Sequence, residues 1–178
     1  KAMVPPFEVS VFVDPSGAFT TAAAMVAKVE QILSKNFGTS LDGAKVAVPG
    51  GTGPVGVIAC VLAAQAGADV KLLSSSSLQR ATDAQVFCKR RYDLNVEPVH
   101  ASGEQALQAA IASVDVIMAA AKAGVQVLSS QDLAAASRLK VVADVNAVPP
   151  AGVEGFDVMA DARVLDNREN GVLGIGAL

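Results

Sequence analysis

The sequence predicts an α/β protein built on a Rossmann-like, doubly wound parallel sheet. Three observations support this prediction. Between residues 44 and 146, short apolar segments alternate with helical patterns, which is typical of a parallel sheet covered by helices on both faces. A glycine cluster joins the first of these segments to a helix. Hydrophobic residues make up 52% of the 178 residues but aromatic residues only 4%, which favours Ala- and Val-rich helices packed closely on a buried sheet.

The predicted elements follow one another in a regular order. A strand at 7–13 precedes the alternating region, and Pro98 indicates that the strand containing it lies near an edge of the sheet. The strands of the alternating region are predicted at 45–49, 69–73, 95–99, 113–121 and 139–146. The helices are predicted at 20–36, from the glycine cluster to Gly67, and at 78–92, 102–111 and 129–137. Beyond Pro150 only short apolar runs remain, and no strand is predicted there.

Composition and charge argue against several classes of partner. The net charge is −3, and the one basic cluster, at 89–91, is interpreted as the solvated end of a helix rather than a nucleic-acid surface. No segment is long enough to span a membrane, and no signal-peptide pattern is seen, so we expect a cytoplasmic protein. Cys60 and Cys88 do not have the spacing of metal ligands, and Cys60 is expected in the core.

The glycine cluster has the spacing of a dinucleotide-binding turn, with Gly51, Gly53 and Gly56 in the pattern G-x-G-x-x-G. In this pattern Gly51 would permit the tight turn, Gly53 would let the backbone approach a pyrophosphate, and Gly56 would let helix and strand pack closely. Pro54 suits the first helical turn, where its missing N–H costs little. The alternative is a plain glycine-rich turn, which the position between strand and helix makes less favoured.

In such a fold the ligand lies along the carboxyl ends of the strands, and small or polar residues follow several of them. The small side chains of 119–121 would leave room for a nicotinamide ribose. Asp144 and Asn146 could orient the substrate or the nicotinamide carboxamide, or instead bind backbone groups of the turn at 149–150. The lone histidine, His100, is expected away from the cleft, and no catalytic residue is assigned. The residues expected to line the cofactor at the fourth strand end are Ala119, Ala120 and Ala121.

The end of the second strand bears on the choice of cofactor. An NAD site usually has an acidic residue there, whereas this chain has hydroxyl groups and a nearby cation, which suit the 2′-phosphate of NADP. We therefore expect NADP, with NAD possible. The alternative is a serine-rich turn in which Ser77 caps the next helix. The residues assigned to the cofactor here are Ser74, Ser75, Ser76 and Arg80.

Four blocks of the sequence, at 14–24, 51–56, 142–150 and 171–176, resemble the NAD(P)-dependent methylene-tetrahydromethanopterin dehydrogenases of methylotrophic bacteria. The blocks match that family in order and spacing along essentially the whole chain. The resemblance implies oxidation of the methylene group of a tetrahydropterin carrier to the methenyl form, with direct hydride transfer to the nicotinamide. It also implies a homo-oligomer with two domains. Residues 41–150 would form the nucleotide-binding domain, 1–40 the edge of the substrate domain with a connecting helix, and 151–178 the return to the substrate domain.

The resemblance also assigns individual residues. Thr52, Gly53, Pro54 and Val55 match the pyrophosphate turn of the family. An arginine that reads the 2′-phosphate in NADP-using members falls near Ser75 here, and a lysine thought to hold substrate would follow the end of this chain. Both ends of the sequence look cut. The residues expected to contact substrate are Asp14, Thr20, Asp144 and Gly174.

Two other functions stay open at this stage. The substrate could be methylene-tetrahydrofolate rather than a methanopterin derivative, because these residues do not decide the carrier. The chain could also be a non-catalytic module that binds NADP(H).

Overall fold

The computed structural model describes residues 12–165 and 171–177 and has one seven-stranded sheet in these residues, in the order β3-β2-β1-β4-β5-β7-β6. All neighbouring strands run parallel except β6, which is antiparallel to β7. The strands are β1 (Lys45–Pro49), β2 (Asp69–Ser74), β3 (Glu97–His100), β4 (Val116–Ala119), β5 (Val141–Asp144), β6 (Asp161–Val164) and β7 (Leu173–Ile175). The predicted doubly wound, Rossmann-like α/β fold is confirmed, with β3 at an edge as its proline indicated.

Helices cover both faces of this sheet. The helices are α1 (Ala18–Ile32), α2 (Pro54–Gln65), α3 (Leu78–Tyr92), α4 (Glu104–Ile111) and α5 (Ser130–Ala135). Buried residues of α1, α2 and α3 share one hydrophobic cluster with Val46 and Val48 of β1. Buried residues of α4 and α5 share a second cluster with Ala47, which points to the opposite face of the same strand. Cys60 is fully buried in the first cluster, as expected.

Two parts of the prediction differ from the structure. Strands β6 and β7 were not predicted, because each has only three or four residues and β7 has Gly174 at its centre, which weakens a β-type pattern. The strand predicted at 7–13 lies mostly outside the described residues. Its described end, Phe12 and Val13, belongs to no strand, and both side chains are exposed.

The described residues on either side of 41–150 pack against the same sheet. Helix α1 packs on α2 and contributes Met25 and Val29, both fully buried, to the core around the sheet. Strands β6 and β7 extend that same sheet beyond β5. The described flanks are therefore continuous with the core around this sheet, and the division into domains at residues 40 and 150 stays a proposal. None of the helices in the described residues has the length and apolar character needed to cross a bilayer.

Candidate functional site

The glycine turn between β1 and α2 is held in place by close contacts with its own surroundings. Gly50 has a φ of +76°, and a Cβ placed on it would lie 2.6 Å from the carbonyl carbon of Ala120. The left-handed residue of the turn is therefore Gly50, the residue before the three glycines of the predicted pattern. Gly51 is needed for another reason, because its Cβ would lie 2.8 Å from Cγ of Leu72 and 2.9 Å from the carbonyl oxygen of Val48. The Gly50–Gly51 pair after Pro49 was the sequence signal for the turn.

Gly53 and Gly56 differ in what they contact. A Cβ on Gly56 would overlap the carbonyl oxygen of Gly50, so helix and turn can pack at this distance only around glycine. A Cβ on Gly53 would meet nothing closer than 3.4 Å, and its φ is −81°. The fold therefore does not require glycine at position 53. What does favour glycine there is close approach of a ligand to the backbone, as a pyrophosphate site needs.

The first turn of α2 has free donors at this point. In the described part of the chain, the backbone N–H groups of Thr52, Val55 and Gly56 have no hydrogen-bond partner, while the N–H of Val57 already donates to the carbonyl of Gly53 at 2.9 Å. The positive end of the helix dipole lies at the same place. Unpaired N–H groups with this dipole form an anion-binding site when they face a phosphate.

The end of β4 lies directly beside the glycine turn. The N–H of Ala120 donates to the carbonyl of Pro49 at 2.9 Å, and the N–H of Val145 donates to the carbonyl of Ala119 at 3.2 Å. Because α3 and α4 cover opposite faces of the sheet, β1 and β4 flank the switch point of this fold, where ligands bind in open α/β sheets. The structure thus brings together the glycine turn and the small residues at the end of β4.

A groove of about 570 Å³ runs along the carboxyl ends of β1, β2 and β4. We call it the strand-end groove. Its walls include Gly50 from the turn, Ser75 after β2, Gly103 before α4, and Ala121 and Lys122 after β4.

The four serines after β2 have different surroundings. Ser74 is buried, and its Oγ lies 3.2 Å from Oγ of Ser76. Ser77 accepts a hydrogen bond from the N–H of Arg80 at 3.3 Å and so caps α3, as the structural alternative held. Ser75 is exposed and lines the strand-end groove. Only part of this serine run is therefore free to contact a ligand there.

Arg80 lies on the other side of the glycine turn from Ser75. It lines a second groove of about 640 Å³, which we call the helix-side groove. Gly53, Asp14 and the exposed rings of Phe19 and Phe87 line it as well. Neither of these two grooves contains both Arg80 and Ser75, which the sequence had assigned to one phosphate.

Asp144 and Asn146 hold the backbone that follows β5. The carboxylate of Asp144 accepts hydrogen bonds from the N–H groups of Asn146 and Val153, each at 3.0 Å, and burial raises its pKa although these bonds lower it. Oδ1 of Asn146 accepts from the N–H of Val148 and from the N–H of Gly124, both at 3.1 Å. Both side chains are buried. Nδ2 of Asn146 also donates to the carbonyl of Pro150 at 3.0 Å, so Asn146 binds the turn at 149–150, whereas Asp144 binds backbone groups before and after that turn.

Asp14 and Thr20, assigned to substrate, bind each other at the start of α1. The carboxylate of Asp14 accepts from the N–H of Phe19 at 2.9 Å and from the N–H and Oγ1 of Thr20 at 2.9 and 2.8 Å. Partial desolvation raises the pKa of Asp14, but these hydrogen bonds outweigh it and lower the pKa below 3.8. Asp14 also lines the helix-side groove, so its outer face borders the space next to Gly53.

The two remaining residues discussed from the sequence lie away from the turn. Gly174 is buried within β7, where an added Cβ would lie 3.0 Å from Cδ2 of Leu165, so packing accounts for the glycine. His100 pairs with Ser74 at the end of the edge strand β3 and is exposed. The structure brings neither of them to the glycine turn.

No family model matches this chain. It is 43% identical over 178 residues to the NAD(P)-dependent methylenetetrahydromethanopterin dehydrogenase of Methylorubrum extorquens, covering all of the chain and 59% of that protein. It is 34% identical to the bifunctional protein MdtA of the same organism, again over the whole chain and over 60% of the relative. The chain thus spans about three fifths of the length of these curated relatives.

Solved structures support the fold at lower identity. An L-alanine dehydrogenase has a TM-score of 0.67 and 18% identity over 90% of this chain and 46% of its own. A dipicolinate synthase chain from Bacillus halodurans has a TM-score of 0.60 and 21% identity over 90% of this chain and 46% of its own. The shikimate 5-dehydrogenase of Listeria monocytogenes, crystallised with shikimate and NAD, has a TM-score of 0.55 and 18% identity over 86% of this chain and 52% of its own.

These likenesses agree with the sequence and with the geometry of the turn. The strand order and the similar solved structures define the fold. The 43% sequence identity over the whole chain confirms the resemblance inferred from the four sequence blocks. The chain is a Rossmann-fold protein similar along its full length to the methylenetetrahydromethanopterin dehydrogenase of Methylorubrum extorquens.

Proposed function

We propose that the protein containing this chain is an NADP-dependent dehydrogenase that oxidises a methylene-tetrahydropterin, of the methylene-tetrahydromethanopterin type, to the methenyl form. The observation that most supports this proposal is the 43% identity over all 178 residues to a dehydrogenase of that name. The turn at the switch point supports the nucleotide part of the proposal independently, since it rests on geometry alone.

The residues of the turn fit a nicotinamide dinucleotide. The free N–H groups of Thr52, Val55 and Gly56 would bind the pyrophosphate, and Gly53 leaves its backbone open to close approach. Ala119, Ala120 and Ala121 would leave space for the ribose that follows. When bound, the nucleotide would supply the two-electron acceptor of the reaction.

In this proposal the chain acts by positioning rather than by acid–base catalysis. When the C–H bond of the methylene group breaks, the hydrogen moves to the acceptor with both bonding electrons, as a hydride, and a methenyl cation remains. No proton therefore has to be moved by a side chain. Holding the two reactants in line can by itself supply a large part of the rate. Asp144 and Asn146 would contribute by fixing the backbone beyond β5 through their hydrogen bonds.

The flanks of the nucleotide core would meet the substrate. Asp14 and Thr20 lie at the start of α1 beside the helix-side groove, and we propose that residues 1–40 and 151–178 border the substrate domain. Asp14 would then act mainly by shaping the α1 terminus, since its carboxylate already accepts bonds from Phe19 and Thr20.

The proposal is tested by turnover of the full-length protein with two carriers, methylene-tetrahydromethanopterin and methylene-tetrahydrofolate. Reduction of NADP and NAD is followed by absorbance, with the carrier omitted as the control. We expect carrier-dependent reduction of NADP, faster with the methanopterin derivative. A higher rate with the folate would change the substrate. Nucleotide binding without turnover of either carrier would indicate a non-catalytic module.

A further inference from the structure

The strand-end groove contains a cation that the sequence had not assigned to any role. Lys122 follows β4 and lines the groove together with Ser75, which follows β2. In a Rossmann sheet the ribose of the adenosine lies at the end of the second strand, next to the glycine turn. Gly50 of that turn lines the same groove. The groove thus places a hydroxyl and an ammonium where the adenosine end of a dinucleotide would lie.

The other charged side chains that line this groove are two carboxylates, and both accept hydrogen bonds. Asp132 is buried, and its Oδ2 accepts from the N–H and Oγ of Ser129 at 2.9 and 2.7 Å. Glu104 accepts from Nε2 of Gln108 at 3.0 Å. Lys122 is exposed, and its ammonium forms no ion pair with the residues that the structure describes. Its charge is therefore available to a ligand anion.

The loop that carries Lys122 is anchored to the sheet. The N–H of Val125 donates to the carbonyl of Lys122 at 3.2 Å and closes a turn. Within this turn, the N–H of Gly124 donates to Oδ1 of the buried Asn146 at 3.1 Å. Because Asn146 follows β5, the position of the lysine is set by the ends of two neighbouring strands.

Arg80, the cation expected for this task from the sequence, lies elsewhere. It lines the helix-side groove, whereas Ser75 lines the strand-end groove. The strand-end groove therefore contains Lys122 where a cation is needed and does not contain Arg80.

We propose that Lys122, with the hydroxyl of Ser75, binds the adenosine 2′-phosphate and sets the preference of this protein for NADP over NAD. This inference rests on the proposed function, because it assumes that the strand-end groove holds a nicotinamide dinucleotide. An ammonium binds a phosphate monoester as a point charge, and the hydroxyl donates one further hydrogen bond to it. The ammonium gains an anionic partner only from the nucleotide with the 2′-phosphate.

The test compares binding of NADPH and NADH to full-length wild-type protein and to Lys122→Gln, by fluorescence titration. We expect Lys122→Gln to lower the affinity for NADPH by about tenfold or more, as for the loss of one charged hydrogen bond. The affinity for NADH should change by less than about twofold. Titration with 2′,5′-ADP and 5′-AMP should give the same difference, since these probes isolate the adenosine end. Lys122→Arg keeps the charge and should retain most of the NADPH affinity.

One control variant and the titration of the wild type separate this inference from the proposed function. Arg80→Gln removes an exposed cation from the other groove and should leave the ratio of NADPH to NADH affinity unchanged. Equal weakening of both nucleotides by Lys122→Gln, no weakening of either, or loss of the ratio in Arg80→Gln would overturn the role of Lys122 while leaving nucleotide binding in place. Absence of NADH and NADPH binding to the wild type would overturn the proposed function and this inference together.

Discussion

Single glycines in the turn have separable roles. Gly56 is required by packing against the carbonyl of Gly50, while Gly53 has no close neighbour in the described residues. The distinction depends on atoms within 4 Å of a Cβ added at each position and so belongs to the scale of one residue. Two substitutions of the same size at positions three apart should therefore have different consequences.

We expect Gly53→Ala to leave the fold intact, because the added methyl group would come no closer than 3.4 Å to another atom. It should weaken the binding of NADPH, because a pyrophosphate could no longer approach the backbone as closely. The matched variant Gly56→Ala should lower the free energy of unfolding by about 1–3 kcal/mol, as overpacking does. Urea denaturation gives the stability and fluorescence titration the affinity. If Gly53→Ala bound NADPH as tightly as the wild type, the turn would not be the pyrophosphate site.

At the scale of an element, the start of α1 shows how one carboxylate orders a helix. Asp14 accepts hydrogen bonds from the first turn of α1, and these lower its pKa below 3.8. Because the pKa is lower in the folded state, the ionised carboxylate stabilises the fold at any pH above the pKa of the unfolded state. This stabilisation is lost as the pH falls through the pKa of the folded state. The preceding residues Ser16 and Gly17 both have a φ of +64°, so the chain must turn sharply for this contact to form.

The amide signals of Phe19 and Thr20 are expected to titrate with a midpoint below pH 3.8, because protonation of Asp14 removes their charged acceptor. NMR spectra recorded between about pH 2 and 6 measure this midpoint. In the Asp14→Asn variant the same signals should show no transition in this range. A midpoint at or above 3.8 in the wild type would mean that the hydrogen bonds to Asp14 do not persist in solution.

At the scale of the whole molecule, the carboxyl ends and the amino ends of the parallel strands have different roles. The carboxyl edge has the glycine turn and the strand-end groove. At the amino ends, Asp115 links neighbouring segments of the chain. Its buried carboxylate accepts hydrogen bonds from the N–H of Lys45 and from the guanidinium of Arg138, each at 3.1 Å. The N–H of Asp115 also donates to the carbonyl of Lys45 at 2.8 Å. Its carbonyl accepts a hydrogen bond from the N–H of Lys140, again at 2.8 Å.

Substitution Asp115→Ala should therefore lower stability without changing nucleotide affinity. It removes a buried carboxylate that accepts hydrogen bonds from the N–H of Lys45 and from Arg138, and we expect a loss of about 1–3 kcal/mol in the free energy of unfolding. Arg138→Ala, in contrast, removes an exposed partner and should cost at most about 1 kcal/mol. Urea denaturation measures both variants. A changed NADPH affinity in folded Asp115→Ala would show that the two edges are coupled.

Local sequence determined most of the fold. Strand and helix periods in 44–146 predicted the parallel sheet, because each side chain there is buried on a face set by its own position in the element. The glycine spacing located the turn, since the conformation and the clearance of glycine are local properties. The short strands β6 and β7 escaped prediction because they are stabilised by pairing with β5 and with each other rather than by their own pattern.

Only the tertiary structure decided which side chains share a groove. The sequence put Arg80 with Ser75 because they are close along the chain, but α3 directs the arginine to the helix-side groove. The sequence analysis assigned no role to Lys122, which is 47 positions away from Ser75. The two residues line the same groove because β2, β1 and β4 are neighbours in the sheet. Contacts across a sheet depend on strand order, a property of the whole molecule, and no local pattern contains it.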